Sequence, residues 1–462
     1  MTYMPPTDAM FLLAESREHP MHVGGLQLFT PPDGAGPDYV RDMVDEIRSH
    51  TEVNTRFSRR PADPVSSVGN LWWAMEPEVD LEYHIRHSAV PRPGRIRELF
   101  QLTSRWHGTL LDRHRPMWET HLVEGLEDGR FAVYTKVHHS LVDGVSALRM
   151  LQTTLDENPD DPGMRVPWDP RPKKSHDGGT SRGGPLALPL SVAGKGLSLG
   201  TTAAGLLPAG LKVLGQAVRD HNFITPFEAP KTILNGPIGG ARRFVAQSWE
   251  IDRVRAVADA TDATLNDVVL AMCSGALRTY LMELDGLPDK SLTAMVPVSL
   301  RSDSDTESAG GNAVGAVICS LATDLDDPID RLRSIRESAQ ASKRLMKELT
   351  PLQILLLSAV NMSALALSPV PGYVSLARPP FNVIISNVPG PTKPLYWNGS
   401  RLDGVYPASI VLDGQAMNIT FTSNDDALDF GIVGCRQTLP SLQRMIHHLE
   451  DALTDLEKAS MA

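Results

Sequence analysis

Two periods of apolar and polar positions divide this chain into predicted strands and helices. Alternation at every second residue, with many β-branched side chains, predicts a strand over 131–139. Apolar positions every three or four residues predict a helix over 145–155, because they share one helical face. The same patterns predict strands over 291–301, 315–324, 381–390, 416–424 and 428–435, two helices over 252–284 with a break near 261–264, and an amphipathic C-terminal helix. These elements follow no regular βαβ order, so the predicted fold class is mixed α/β, with α+β layers.

A change of composition predicts the domain boundaries. Residues 156–185 are rich in Pro, Gly, Asp and basic residues and lack an apolar period, which is typical of an exposed linker. A Gly-rich apolar stretch follows it. We therefore predict an N-terminal domain over 1–155, a linker and apolar helical connector over 156–235, and a C-terminal domain over 236–462.

Two apolar stretches raise the question of a membrane span. Residues 352–377 carry no charge, but Ser and Asn recur in them and prolines and a glycine interrupt them, which favours a buried or amphipathic helix. Residues 186–218 are interrupted by Lys195, Pro208 and Lys212, which is typical of helices that pack between domains or lie on a membrane surface. Neither stretch predicts an integral membrane protein.

Composition limits the partners and the compartment. The chain has 44 Lys and Arg against 55 Asp and Glu, a formal net charge of −11, which argues against nucleic acid as the main partner. A local phosphate site remains compatible with this charge, and Arg242 and Arg243 are candidates for it. Three cysteines without CxxC spacing argue against a disulfide framework or a zinc site. The first residues lack the basic region of a signal peptide, so we expect a cytoplasmic protein.

The stretch HHSLVDG is the strongest candidate for chemistry. Successive side chains of a strand point to opposite faces, so alternation separates His138 from His139 and places them poorly for one metal ion. His139 ends the more apolar row, which permits two interpretations: a neutral buried base, or an ordinary core histidine. Asp143 and Gly144 predict a tight turn in which Asp143 caps the following helix.

A second histidine pair provides a comparison. His447 and His448 lie in the predicted C-terminal helix and lack the Asp-Gly turn. We therefore predict that they are two surface or groove residues without a catalytic role.

HHSLVDG resembles the HHxxxDG motif of the CoA-dependent acyltransferase superfamily. An ordered set of further stretches covers nearly the whole chain and resembles the bacterial wax ester synthase/diacylglycerol acyltransferase family. These are PPTDAMFLLAE (5–15), MHVGGLQLF (21–29), DRHRPMWETHLVEGL (112–126), LNGPIGGARRF (234–244), TLNDVVLA (264–271), VPVSLR (296–301), GN (311–312) and SNVPGP (386–391). Met117 departs from the family's PLW block, and it is a volume-conserving change.

The resemblance implies two chloramphenicol-acetyltransferase-like domains with a tunnel between them. It implies that His139 is the general base, supported by His138, and that it deprotonates diacylglycerol or a long-chain alcohol as the oxygen attacks an acyl-CoA thioester. The expected product is triacylglycerol or wax ester. No acyl-enzyme, bound cofactor or metal is expected, since acyl-CoA is a co-substrate.

The resemblance also assigns roles to other residues. Asp143 is expected to be a structural brace that pairs with Arg301, and Gly144 to complete the turn. Asn266 and Asp267 lie at a predicted helix start, where Asn266 can either cap the helix or donate toward the site. Ser386 and Asn387, at the end of a predicted strand, are candidates for the oxyanion donor or the channel wall. Residues expected to shape the pocket or fix a loop are Pro116, Trp118, Gly311 and Asn312.

Two alternative functions stay open from the sequence. One is an acyltransferase for another lipid or a polyketide alcohol, and the other is a non-catalytic lipid- or CoA-binding relative. The expected partners are acyl-CoA, the acceptor alcohol and the surface of a membrane or lipid droplet, with no nucleic acid and no metal. The expected location is the cytoplasm, peripheral to such a surface.

Overall fold

The computed structural model describes residues 1–62, 72–161, 163–170, 227–299, 314–348, 374 and 377–461. Its helices are α1 Pro6–Ala14, α2 Tyr39–Ser49, α3 Leu81–His84, α4 Ile96–His107, α5 Gly144–Gln152, α6 Ile251–Ala260, α7 Leu265–Met282, α8 Pro328–Glu348 and α9 Met445–Ser460. Its strands are β1 Thr2–Tyr3, β2 His22–Thr30, β3 Arg59–Pro61, β4 Trp72–Met75, β5 Ile85–Ala89, β6 Trp118–Glu124, β7 Phe131–His138, β8 Arg242–Glu250, β9 Thr293–Ser299, β10 Val314–Ser320, β11 Val383–Val388, β12 Tyr396–Trp397, β13 Ser400–Ala408, β14 Met417–Asn424 and β15 Ala427–Cys435. The predicted mixed α/β fold is confirmed.

The first large sheet has the strand order β12-β13-β2-β7-β6-β5. The predicted strand 131–139 is β7, which pairs antiparallel with both β2 and β6. Both faces of β7 are buried, so its more polar row is not turned to solvent. Lys136 in that row donates hydrogen bonds to Trp106 O (2.9 Å) and Thr109 O (2.8 Å). The strand therefore ends inside the protein, where His138 and His139 follow.

The second large sheet has the order β10-β9-β11-β14-β15-β8 and carries α7, α8 and α9. The predicted break near 261–264 is confirmed and has a local cause. Asp262 adopts a left-handed conformation (φ 51°) after α6. Thr264 then caps α7 in a capping box with Asp267, since each side chain accepts a hydrogen bond from the other residue's backbone N–H. The sequence pattern and the cap chemistry place the break at the same point.

A strand exchange joins the two sheets. β13 comes from the last part of the chain, yet it pairs with β2 of the first sheet. Where β13 passes β15, Gly431 approaches so closely that a Cβ atom there would lie 1.9 Å from Pro407 O. One buried apolar cluster includes Leu26 and Tyr134 of the first sheet together with Phe244 and Phe421 of the second. The two halves thus share a core.

Part of the predicted linker packs against the first half. Asp156 forms a backbone bridge with Tyr396, and the buried Trp168 stacks on Trp118 with ring centroids 4.8 Å apart. Met164, Val166 and Trp168 are buried in the core of the first half, so an exposed linker was the wrong prediction for them, whereas residues 157–160 are exposed as predicted. The rest of the linker and the stretch 186–218 lie outside the described residues, as does 352–377 apart from 374 and 377.

α1 and the small sheet β1-β4-β3 cover the edge of the first half. The inner side of α1 places Ala9 and Leu12 in a buried cluster with Trp73 and Met117. No helix in the described part of the chain combines the length and apolar character needed to cross a membrane.

Candidate active site

His139 follows β7 directly and lies under α1. Its backbone N–H donates to Met21 O (2.8 Å), and its half-buried ring stacks on Phe11 with centroids 4.0 Å apart and planes 20° apart. Burial, followed by the neighbouring His138, lowers the pKa of His139 from 6.5 to about 4. The imidazole is therefore neutral at physiological pH, which is the form that accepts a proton.

His138 is fully buried and occupies a different environment. Ser140 donates its backbone N–H to His138 Nδ1 (3.1 Å), and Ser140 Oγ lies 2.7 Å from the same nitrogen. Because Nδ1 accepts, the ring proton is on Nε2, which lies 3.3 Å from Glu15 Oε1. The rings of His138 and His139 thus have separate partners, as strand alternation predicted. His138 supports the turn, and the protein surrounds it on all sides.

Glu15 is a residue beside the histidine turn that the sequence analysis missed. Its side chain is 2% exposed, yet it contacts two cationic or polar partners besides His138. Arg113 donates to Oε2 from Nε (3.1 Å) and Nη2 (3.0 Å), and Met21 N–H donates to Oε1 (3.2 Å). Burial acts to raise the pKa of Glu15, but His138, Met21 N–H and Arg113 together outweigh it and lower the pKa. A buried carboxylate therefore fixes the end of α1 to the histidine turn.

Asp143 caps α5, as the helix-capping interpretation predicted. Its Oδ1 accepts from Ser146 N–H (2.9 Å) and its Oδ2 from Ser146 Oγ (2.7 Å), so both oxygens face the helix. Gly144 is the first residue of α5. Arg301, the predicted partner of Asp143, lies outside the described residues, as do Gly311 and Asn312. The ion pair between Asp143 and Arg301 stays a prediction.

The stretch around Pro116 is hydrogen-bonded to the histidine turn through its backbone. Met117 O accepts the backbone N–H of His138 (2.9 Å), and Pro116 and Met117 are both buried. Trp118 stacks on His84 with centroids 4.4 Å apart and donates its indole N–H to Phe57 O (2.9 Å). Trp118 thus packs within the core of the first half.

Asn266 and Asp267 separate at the start of α7. Asp267 is buried in the capping box, where its Oδ2 accepts Thr264 N–H (3.0 Å). The N-cap itself is Thr264, so a cap role for Asn266 was the wrong alternative. Asn266 is half-buried, and its role as a donor toward the site stays a prediction.

The end of β11 brings Ser386 and Asn387 toward the first half. Ser386 is half-buried and Asn387 is exposed. The next residue, Val388, belongs to the same buried cluster as Val137 and Val142 of the histidine stretch. This shared cluster supports a place near the site for the end of β11, and the oxyanion role of either side chain stays a prediction.

Two other expectations are corrected. Arg242 is buried, and its guanidinium donates to Gly239 O and to Glu18 O, so it is not available for phosphate. In the second histidine pair His447 is exposed, but His448 is buried and lies 3.1 Å from Glu283. The periodicity of the C-terminal helix could not predict the contact between His448 and Glu283, because Glu283 follows α7, a distant part of the chain.

Metal-ligating groups do not converge in the described part of the chain. There, no three His, Cys, Asp or Glu side chains have the arrangement of a metal site. The three cysteines are buried and unpaired. The described site offers a neutral imidazole, held by backbone and by a ring stack, and an imidazole in this state is able to accept a proton.

The fold resembles that of condensation domains. The starter condensation domain of rhizomide synthetase shares 12% identity with a TM-score of 0.55, covering 100% of this chain and 94% of that one. At this identity the likeness concerns the fold alone. Two sheets joined by a strand exchange, with a histidine turn after a central strand, thus form a fold of the condensation-domain class.

The chain belongs to the wax ester synthase/diacylglycerol acyltransferase family. The family's catalytic-domain model matches residues 4–269 and its C-terminal-domain model matches residues 310–457.

Similar proteins span the full length of the chain. A probable diacylglycerol O-acyltransferase of Mycobacterium tuberculosis is 50% identical, and the match covers 99% of both chains. The O-acyltransferase WSD of Acinetobacter baylyi is 42% identical over 98% of this chain and 96% of its own. The structure of the wax ester synthase/diacylglycerol acyltransferase from Marinobacter aquaeolei VT8 is 43% identical with a TM-score of 0.79, and each chain is covered completely.

Proposed function

We propose that this protein is an acyl-CoA-dependent O-acyltransferase that esterifies diacylglycerol, a long-chain alcohol, or both. The neutral His139 at the end of β7 is the observation that carries the proposal. An alcohol is a weak nucleophile, and a positioned base of this kind removes its proton as it attacks. Relatives named for both acceptors support the two substrate classes.

The proposed reaction proceeds without an acyl-enzyme. His139 takes the hydroxyl proton while the alcohol oxygen bonds to the thioester carbonyl carbon, which gives a tetrahedral oxyanion. Collapse of this intermediate breaks the carbon–sulfur bond, and the CoA thiolate receives the proton from His139. Phe11 keeps the ring plane fixed by stacking, and donors at Ser386, Asn387 or Asn266 would stabilise the oxyanion in a passage between the two halves.

A competition assay tests the proposed function. The purified protein receives labelled palmitoyl-CoA with equal amounts of diacylglycerol and hexadecanol, and the labelled products are separated. We expect triacylglycerol, wax ester or both, and their ratio gives the acceptor preference. If neither ester forms although free CoA binds, the protein is a binding relative and the proposed function is wrong.

We also propose that the protein works at a lipid surface, which it contacts through α1 and the small sheet. Of the eleven large apolar side chains exposed in the described part of the chain, seven lie in residues 1–13, 72–75 and 110. Tyr3 and Trp72 contact each other there, with ring centroids 5.7 Å apart. Exposed Trp and Tyr beside aliphatic side chains favour a membrane interface. The same helix carries Phe11, which stacks on His139, so an acceptor that leaves the lipid at this surface would be close to His139.

Substitution of two exposed side chains on α1 tests this lipid contact. Met10→Ser with Leu13→Ser removes apolar area from the outer side only, since both residues are more than half exposed. We expect binding to phosphatidylcholine vesicles containing diacylglycerol to weaken on the order of tenfold. Met282→Ser, an exposed methionine at the end of α7, is the matched control. Equal vesicle binding by both variants would exclude this surface.

A further inference from the structure

An arginine cluster lies at the seam between the two halves, away from the histidine turn. It consists of Arg97, Arg243 and Arg436. Arg243 pairs with Gly434 across β8 and β15, and Arg436 donates its backbone N–H to Ala241 O (3.0 Å). Arg436 lies two residues after Gly434, and residues two apart on a strand share a face. Arg243 and Arg436 are therefore diagonal neighbours on one face, with Cα atoms about 7–8 Å apart.

Helix α4 brings the third guanidinium. It runs along β8, where Phe100 packs edge-on against Phe244 (5.7 Å between centroids) and Ser104 Oγ accepts Phe244 N–H (2.8 Å). Arg97 lies three residues before Phe100 and therefore on the same side of the helix. After burial, the charges of Arg436 and Arg97 act on Arg243 and lower its pKa.

Carboxylates do not neutralise this cluster. In the described part of the chain, none lies within ion-pair distance of the three guanidinium groups. Glu98, the acid next to Arg97, pairs with Arg95 (3.0 Å). Arg97 and Arg436 repel the guanidinium of Arg243, and this repulsion is unfavourable in the free protein. Repulsion between like charges that no neighbouring acid relieves is typical of functional sites.

We propose that the arginine cluster binds the phosphate groups of acyl-CoA. This inference rests on the proposed function and adds residues that hold the co-substrate. Guanidinium groups bind phosphate oxygens through paired, charge-assisted hydrogen bonds. The pantetheine arm separates the phosphates from the thioester, so their site must lie at a distance from the reacting carbonyl.

The position of the cluster suits this ligand. The loop that leads into β8 touches the segment after Glu15, since Arg242 Nη2 donates to Glu18 O (2.5 Å) and a Cβ on Gly240 would lie 2.8 Å from Arg17 O. A continuous stretch of protein therefore connects the cluster to the carboxylate that fixes the histidine turn. No exposed large apolar side chain of the described residues lies on α4, on β8 or at position 436. A phosphate group carried by a soluble molecule fits this surface better than a lipid headgroup.

Kinetics with two thioester substrates distinguish a loss of phosphate binding from other effects of a substitution. Palmitoyl-CoA carries the phosphates and palmitoyl-pantetheine lacks them, while the reacting bond is the same. For Arg243→Ala we expect KM for palmitoyl-CoA to rise about tenfold, with kcat changed by less than about twofold. A further rise is expected when Arg97→Ala and Arg436→Ala are added. The kcat/KM for palmitoyl-pantetheine should stay at the wild-type value in all variants.

Arg344→Ala is the matched control, because this exposed arginine lies on α8 over the opposite edge of the second sheet. An equal loss on both thioesters, or an unchanged KM for palmitoyl-CoA, would overturn the proposal. Weaker binding of Arg243→Ala to phosphatidylglycerol vesicles with wild-type KM would assign the cluster to lipid headgroups and also overturn it. If the wild type forms no ester, the proposed function fails. Calorimetry with adenosine 3′,5′-bisphosphate then still tests the arginine cluster. Binding to the wild type that Arg243→Ala abolishes would support the cluster as a phosphate site, and no binding to the wild type would refute it.

Discussion

His139→Ala is expected to lower kcat for acyl transfer about 10²–10⁴-fold, with KM for palmitoyl-CoA little changed. The variant removes the proposed acceptor of the hydroxyl proton but leaves Glu15, His138 and the Asp143 cap in place. Far-ultraviolet circular dichroism should match the wild type, because the imidazole Nδ1 of His139 has no hydrogen-bond partner to lose. His447→Ala, at an exposed position, is the control and should keep full activity. Activity of the His139 variant within a few-fold of wild type would contradict a general-base role.

The pH profile of the same reaction carries an independent signature. Because burial lowers the pKa of His139 to about 4, the neutral base persists well below pH 6.5. We expect kcat/KM to stay level on acidification to about pH 5 and to fall through about pH 4. Stability behaves differently: between pH 6.5 and 4 the unfolded chain binds the proton that the folded protein excludes, so acidification destabilises the fold. An activity limb near pH 6.5 with unchanged fluorescence would argue against the buried neutral ring.

Glu15→Ala is expected to lower the free energy of unfolding by about 3 kcal/mol, because it breaks a buried charged pair from one side. Arg113 would lose its carboxylate acceptor, and His138 Nε2 would lose the carboxylate 3.3 Å away, in a site where the side chain of Glu15 is 2% exposed. Urea denaturation followed by tryptophan fluorescence measures the loss. Glu18→Ala, at an exposed position three residues on, is the control and should change stability by less than about 0.5 kcal/mol.

A double variant of Glu15 and Arg113 tests whether the two residues act as a pair. Once Glu15 is alanine, Arg113→Ala should cost much less than it costs in the wild type, since the pair is already broken. Additive losses would show that Glu15 and Arg113 act separately. Acyl transfer should also fall in Glu15→Ala, because the helix that carries Phe11 over His139 loses its attachment.

Local pattern was sufficient for much of the fold. Alternation predicted β7 to within one residue, and the break between α6 and α7 followed from a short polar stretch that the structure uses as a turn and cap. The separation of His138 from His139 also came from strand alternation. These features depend on neighbours in sequence, so a single chain is enough to predict them.

Contacts between distant parts of the chain were out of reach. The sequence around Phe11 and Glu15 contains no sign of their partners, and only the folded chain brings these two residues to positions 139 and 138. Trp168 lay in a stretch whose composition is typical of a linker, yet it stacks on Trp118. In both cases the partner lies tens of residues or more away, and periodicity contains no information about such pairs.

The strand exchange also determines when the protein can finish folding during synthesis. β2 and β7 leave the ribosome early, but their sheet gains β13 only after residue 408 has been made. Until then β2 has an unpaired edge, which is the kind of surface that recruits other chains. Closing a loop from β2 to β13 also has a high contact order, so this pairing should be among the slow steps. We therefore expect expression at low temperature, or with chaperones that bind exposed strand edges, to reduce aggregation before β13 pairs with β2.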